Sequence, residues 1–174
     1  MPQLATGEDP ALRNPTQFSR LFDEHHGLIF RTAYRLTGSA ADAEDVLQTI
    51  FLRLVRSDAA AVPASEESYF RRAAVNASLD VIRARKTDRS VSLEDLPPSA
   101  IDHDGRELQE SLRRAFATLS PRSAEIFALR HVEDFSNGEI ARLLGISQIL
   151  VAVTLHRARR QLQKEIRLYF GGKL

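Results

Sequence analysis

Ser136-Asn137-Gly138-Glu139-Ile140-Ala141-Arg142-Leu143-Leu144-Gly145-Ile146-Ser147 reads as a short helix, a tight turn and the start of a second helix. Ser136 stands at an N-cap position and Glu139 follows three residues on, so the pair can form a reciprocal capping box. Ile140, Leu143 and Leu144 recur at helical spacing and make one apolar stripe. Gly145 falls where a helix must stop, because glycine tolerates the left-handed conformation of a C-terminal cap. Ser147 can cap the next helix, which carries Leu155-His156-Arg157-Ala158-Arg159-Arg160-Gln161-Leu162. This is the layout of a helix-turn-helix, whose second helix lies in a DNA major groove. An ordinary helical hairpin is the competing reading. The caps, the turn and the basic follow-on together favour DNA-binding geometry.

Composition sets the frame for that motif. The chain has 174 residues, enough for one medium domain or two small ones, and is 43 % hydrophobic, enough for real cores. It has no cysteine, which excludes a disulfide framework and any cysteine-based zinc site and fits a reducing cytoplasm. No apolar run is long enough to span a bilayer, and the N-terminus lacks a secretory pattern. A cytoplasmic protein without membrane contact is therefore expected. Net charge is only +1, but its distribution is uneven. From His156 onward, Arg157, Arg159, Arg160, Lys164, Arg167 and Lys173 face a single acid, Glu165. Arg83, Arg85, Lys86 and Arg89 form a second basic cluster, and the stretch between Glu94 and Asp104 is acidic. Basic patches on either side of an acidic connector suit a protein that touches nucleic acid twice.

The rest of the chain reads as helices. Residues 1–14, rich in Pro and Gly, make a mobile lead-in. Phe18, Leu21, Phe22, Leu28, Ile29, Ala33, Tyr34 and Leu36 keep a period near 3.6 until Thr37-Gly38 breaks it. Ser39 with Asp42 offers another capping box, followed by the amphipathic run Val46, Leu47, Ile50, Phe51, Leu54 and Val55. Residues 57–68 read as a loop, and a further helix is expected from about Glu67 to Lys86. Pro97-Pro98 and the surrounding acids mark a linker, after which helices resume at about Arg106 and again at Pro121, with Ser120 as cap. The expected fold is all-α: two small helical domains on a flexible linker. The boundaries are 1–14 lead-in, 15–88 first domain, 89–105 linker and 106–174 helix-turn-helix domain.

Three separated features then line up. They are Leu36-Thr37-Gly38-Ser39-Ala40-Ala41-Asp42-Ala43-Glu44-Asp45-Val46-Leu47-Gln48 running into Ile50-Phe51-Leu52; Tyr69-Phe70-Arg71-Arg72-Ala73-Ala74-Val75-Asn76 with Leu79-Asp80 and Arg83-Ala84-Arg85-Lys86; and Leu119-Ser120-Pro121-Arg122 through to Arg159. In that order they resemble an alternative bacterial RNA polymerase sigma factor of the extracytoplasmic-function (ECF) type, over roughly residues 16–170. The resemblance implies that the chain binds core RNA polymerase, recognises a two-element promoter and helps melt DNA, with no catalysis of its own and no cofactor. An anti-sigma protein that clamps both domains is a further candidate partner, and self-association is left open.

The resemblance also implies where each contact lies. The helix around Asp42–Val55 corresponds to the polymerase-docking surface, with Asp45, Gln48, Thr49 and Leu52 on it. Thr49 stands where an acid commonly follows the glutamine, and Phe51 and Leu52 also read as core. The helix from Tyr69 corresponds to the minus-ten reader. Tyr69 and Phe70 would supply aromatic surface or core, Arg71, Arg72, Arg83, Arg85 and Lys86 phosphate contacts, and Asn76 a base edge or a backbone partner. Asp80 is expected to pair with a nearby arginine. The last helix corresponds to the minus-thirty-five reader, through Gln148, Ile149, Ala152, Thr154, His156, Arg157, Arg159 and Arg160.

Here the chain departs from its relatives. Gln148-Ile149-Leu150-Val151-Ala152-Val153-Thr154 is apolar where they commonly carry polar or basic residues. With Val151 and Leu155 facing the core, some of Ile149, Leu150, Ala152 and Val153 must point outward. Either they touch thymine methyls while the cations behind them hold phosphates, or a partner, the first domain or a second copy covers them. The basic run favours DNA. Two other classes stay in view: a helix-turn-helix regulator that works without polymerase, and a sigma-like protein that acts through protein contacts alone. No metal site is expected, since His25-His26 and Asp102-His103-Asp104 lack a fixed ligand set and read as helix surface and linker.

Overall fold

A computed structural model describes the backbone of residues 15–56, 65–89 and 103–170, and the side chains of 16–56, 65–85 and 110–168. The described residues form seven helices and no strand: α1 Pro15–Thr37, α2 Ala40–Arg56, α3 Glu66–Arg89, α4 His103–Thr118, α5 Pro121–His131, α6 Asn137–Leu144 and α7 Gln148–Phe170.

Helices α1 to α3 fold into one unit because each turns an apolar stripe inward. Leu21, Ile29, Ala33, Val46, Ile50, Phe51, Leu54, Phe70 and Ala74 share its core. Gly38, at φ 65°, ends α1 in the left-handed region that glycine enters without strain. The Ser39–Asp42 capping box forms only by half. Ser39 Oγ accepts from the Asp42 N–H at 3.3 Å, but the Ser39 N–H bonds Thr37 Oγ1 at 3.4 Å. The Asp42 carboxylate is instead engaged by Arg85. Helix α3 starts at Glu66, inside the expected loop, and its first turn carries Glu66 and Glu67, as the positive end of the helix dipole favours.

The second unit follows the same logic with stronger caps. Helix α4 begins at His103, three residues ahead of its expected start. Ser120 caps α5, accepting from the Ser123 N–H at 3.2 Å, with Pro121 in the first turn. Both halves of the Ser136–Glu139 box are made, at 2.8 and 3.2 Å. Gly145 ends α6 at φ 65°, and Ser147 Oγ accepts from the Leu150 N–H at 3.1 Å to start α7. The axis turns through 109° between α6 and α7, within the helix-turn-helix range.

The two units are not merely tethered. Helix α3 is apolar on two sides: Phe70, Ala74 and Ala77 face α1 and α2, while Val75, Leu79 and Ile82 join Leu36 in a second core with Ala115, Leu119, Ile126 and Leu129. Helical phase already separates the two sets, since Val75, Leu79 and Ile82 lie more than a right angle round the helix from Phe70, and the packing shows which core each one meets.

Candidate polymerase and nucleic-acid interfaces

On α2, Val46, Ile50, Phe51 and Leu54 are buried, which turns Asp45, Gln48, Thr49 and Leu52 together onto the opposite face, at spacings of three and four. Leu52 is 54 % exposed, so its core reading is corrected: it extends the polar stripe with one apolar contact. Phe51 is core, its ring 5.7 Å from Phe18 and 4.9 Å from Phe22. The stripe is a narrow docking surface of mixed character.

Helix α3 presents a different picture. Phe70 is fully buried, stacked between His25 and Phe51, and so is withdrawn from the set of DNA-contacting side chains. Its burial follows from helical phase, since Phe70, Ala74 and Ala77 lie on one line. Tyr69 is half-buried and meets the edge of Phe70 at 5.2 Å. Arg71 bonds Glu67 at 2.7 Å and also Glu133. Burial alone would lower the Arg71 pKa, but Glu67 and Glu133 outweigh it and the guanidinium is held above its usual value. Arg72 Nε donates to Glu125 Oε1 at 2.7 Å, and Asn76 Nδ2 donates to the same oxygen at 3.0 Å. Arg83 sits 3.5 Å from Asp80, as expected, and Arg85 pairs with Asp42. The side chain of Lys86 lies outside the described residues.

Glu125 and Glu133 are the residues that sequence reasoning missed. Both come from the second unit: Glu125 from α5 and Glu133 from the turn that follows it. Burial pushes the Glu125 carboxyl up, yet the hydrogen bonds from Asn76 and Arg72 hold it below the usual carboxylate range. Glu133 also accepts from Thr32 Oγ1 at 2.8 Å, while Arg35 reaches the Val132 carbonyl at 3.3 Å. One signal was present for Glu125. It lies among Ala124, Ile126, Ala128 and Leu129, all buried, and an acid in such company needs partners.

Helix α7 is open where α3 is occupied. Val151 and Leu155 are buried, as their spacing predicts, while Ile149, Leu150 and Val153 are 77 %, 49 % and 40 % exposed. Gln148 and Ala152 are exposed and Thr154 half-buried. The first unit therefore does not cover the apolar strip. His156, Arg157, Arg159 and Arg160 are all exposed, and none of the three arginines pairs with a carboxylate among the described residues. Nearby His131 has its pKa lowered by burial, then by Arg159 and Arg130.

The histidine pair divides. His26 is exposed, but His25 is buried, its ring 4.5 Å from Phe70, which corrects its reading as helix surface. Its Nε2 is 3.3 Å from Glu66, and Glu24, His25 and Glu66 form one close group of possible metal ligands. Arg20 already bonds both carboxylates at 2.8 Å, so the group is closed as an ion-pair network. Bonds from Arg20 and then His25 hold the Glu66 carboxyl down at about 2. Asp102 lies outside the described residues, whereas His103 opens α4.

A helical chain in two packed units, with a capped helix-turn-helix and an exposed cationic face on its second helix, is built as a DNA-binding protein. Residues 21–88 match the family described as Sigma-70 region 2, and residues 109–162 match Sigma-70, region 4. The chain is 33 % identical over 156 residues to the RNA polymerase sigma-E factor of Streptomyces avermitilis, covering 86 % of this chain and 85 % of that protein. It is 33 % identical over 168 residues to the ECF RNA polymerase sigma factor SigE of Mycolicibacterium smegmatis, covering 91 % of this chain and 64 % of that protein. The chain therefore spans less than two thirds of the length of that relative. In fold it is similar to the sigma factor RpoE in its co-crystal structure with the anti-sigma factor NepR from Bartonella quintana. The TM-score is 0.53 at 18 % identity, covering 86 % of this chain and 96 % of that one. The chain belongs to the sigma-70 family, with relatives of the ECF type. Among the described residues, no single helix is long and apolar enough to cross a membrane.

Proposed function

We propose that this chain is an alternative sigma factor that binds core RNA polymerase, recognises a two-element promoter and helps melt DNA to initiate transcription. Catalysis is left to the polymerase, in the cytoplasm. The face of α2 carrying Asp45, Gln48, Thr49 and Leu52 docks core enzyme. Helix α3 serves the minus-ten element through Tyr69, Arg71, Arg72, Asn76, Arg83, Arg85 and Lys86, and the first turns of α7 serve the minus-thirty-five element. Residues 15–88 and 106–174 are the two working domains, joined through 89–105. An anti-sigma partner of the kind named for the Bartonella neighbour is part of the same reading.

The observation that carries this reading is the outer face of α7. Arg157, Arg159 and Arg160, which pair with no carboxylate among the described residues, continue from an exposed apolar strip on a helix set at 109° to its predecessor. Arginines grip phosphates without regard to sequence, and Ile149, Ala152 and Val153 suit thymine methyls, so base discrimination rests on apolar contact plus Gln148 and Thr154.

One observation favours a second reading. The same apolar strip, together with Thr49 on the polymerase face, suits a sigma-like protein that acts by protein contacts alone. Reconstituted transcription with bacterial core polymerase on a genomic fragment library separates the two. Discrete start sites sharing two upstream elements are expected, whereas core binding with no new start would favour the second reading.

A further inference from the structure

We infer that Gly138 is a positioning residue for base reading: its missing side chain leaves the room in which the Gln148 amide rests, and Gln148 reads one adenine of the minus-thirty-five element. This rests on the promoter-binding reading of α7.

The polar part of that reading falls on one side chain. Base edges are reached by the N-terminal residues of a recognition helix. In α7 these run from Gln148 to Thr154, and only those two end residues can hydrogen-bond. Thr154 is half-buried, and six residues of helix carry it about 120° round the axis from Gln148. Ala152 stands one turn beyond Gln148 on the same face, with Ile149 beside it, and both are exposed and apolar. Gln148 is exposed as well, and its amide makes no hydrogen bond among the described residues. Its donor and its acceptor are therefore both unspent. Adenine presents N7 and the N6 amino group side by side in the major groove, the pair that such an amide matches. The amide of Asn76, by contrast, already donates to Glu125 at 3.0 Å.

The amide is nonetheless held in place. Gly138 is the second residue of α6, and a Cβ there would lie 3.0 Å from Gln148 Nε2 and 3.7 Å from its Cδ. The end of the Gln148 side chain thus packs onto bare helix backbone. The α6 backbone has no need of glycine at this position. Its φ lies outside the left-handed region that Gly145 occupies, and glycine within a helix is less favourable than alanine. What the glycine supplies is room. Ser136 and Glu139 flank it and close the capping box at 2.8 and 3.2 Å, so the surface under the amide is itself fixed. A long side chain ordered before binding loses less entropy when it meets DNA.

This arrangement separates reading from folding. A methyl group at position 138 would meet the far end of a flexible side chain, so the amide would swing away and the helix would stay.

The test uses holoenzyme reconstituted from the full chain and bacterial core polymerase. The start site used most strongly on the genomic fragment library is rebuilt with its upstream element randomised, and the transcripts are sequenced. Wild type is expected to prefer adenine at one position of that element. Gln148→Ala should lose about tenfold of the preference, and Gly138→Ala a similar share at the same position, with the preferences of the downstream element intact. Thermal unfolding of Gly138→Ala is expected at or above the wild-type temperature. A preference that survives Gly138→Ala, or a loss spread over both elements, would overturn the proposal. So would a lower unfolding temperature, because the glycine would then serve the fold.

The second measurement needs no DNA. In NMR of the free full chain, cross-relaxation is expected between the Gln148 side-chain amide protons and the Gly138 Hα protons. An amide without that contact would overturn the proposal. Absence of core binding would instead count against the sigma reading itself, and the NMR contact would still decide whether Gly138 holds Gln148.

Discussion

Helices α3 and α7 are both arginine-rich and differ in what holds their cations. On α3, Arg71, Arg72, Arg83 and Arg85 each meet a carboxylate, whereas on α7 Arg157, Arg159 and Arg160 meet none among the described residues. The number of basic residues along the chain therefore measures potential for binding, and the fold decides availability. Glu133 lies 62 positions from Arg71, and Glu125 lies 53 from Arg72. No local pattern announces such pairs.

The sharpest way to break this contrast is through stability. Phe70 lies on the closed side of α3, so Phe70→Ala should cost about 3–5 kcal/mol in chemical denaturation. Ile149→Ala, on the open face of α7, should stay within about 0.5 kcal/mol of wild type. Comparable losses at both sites would mean that the apolar strip is core after all.

Salt dependence gives the next test. Replacing Arg157, Arg159 and Arg160 with alanine should lower the slope of log affinity against log salt by about 1 for each phosphate no longer neutralised, with the free chain and duplex DNA. Arg71→Ala should leave that slope unchanged, since its guanidinium is committed to Glu67 and Glu133. A smaller effect is expected from the turn that aims α7. Ser136→Ala removes one half of the capping box and should cost about 1 kcal/mol in thermal unfolding.

The smallest effect concerns pH. Glu66 titrates at about 2 in the folded chain against 4.5 for an unperturbed group. Its folded pKa is the lower one, so its stabilising contribution is complete above the unfolded value and fades as pH falls from 4.5 to about 2. Arg20→Met should move the Glu66 carboxyl titration back toward 4.5 when followed by carbon NMR. A titration that stays near 2 would assign the depression to His25 instead.

What the sequence made legible was local. Ser120, Ser136, Glu139, Gly145 and Ser147 act within a turn of where they stand, and the resulting caps form as their spacing predicts. Val151 and Leu155 likewise fall on the buried side by helical phase alone. The misread positions share a different cause. Asp42 could have completed a box with Ser39, but a cation 43 residues away engages its carboxylate. His25 and Phe70 bury each other across two helices, and Val75, Leu79 and Ile82 serve a second core that joins the units. Leu52 reads as core by residue type, although its spacing from Asp45, Gln48 and Thr49 puts it on their face, where it is 54 % exposed.

If one chain reads two promoter elements with two separate faces, each face must touch its own stretch of DNA in the same complex. Photo-crosslinking from Asn76 and from Ala152, in holoenzyme on a promoter it uses, examines both faces at once. Two crosslinks about 25 base pairs apart are predicted, the one from Asn76 at the upstream edge of the melted region and the one from Ala152 farther upstream. Both probes mapping to a single element, or neither reaching DNA while transcription proceeds, would contradict two-element reading.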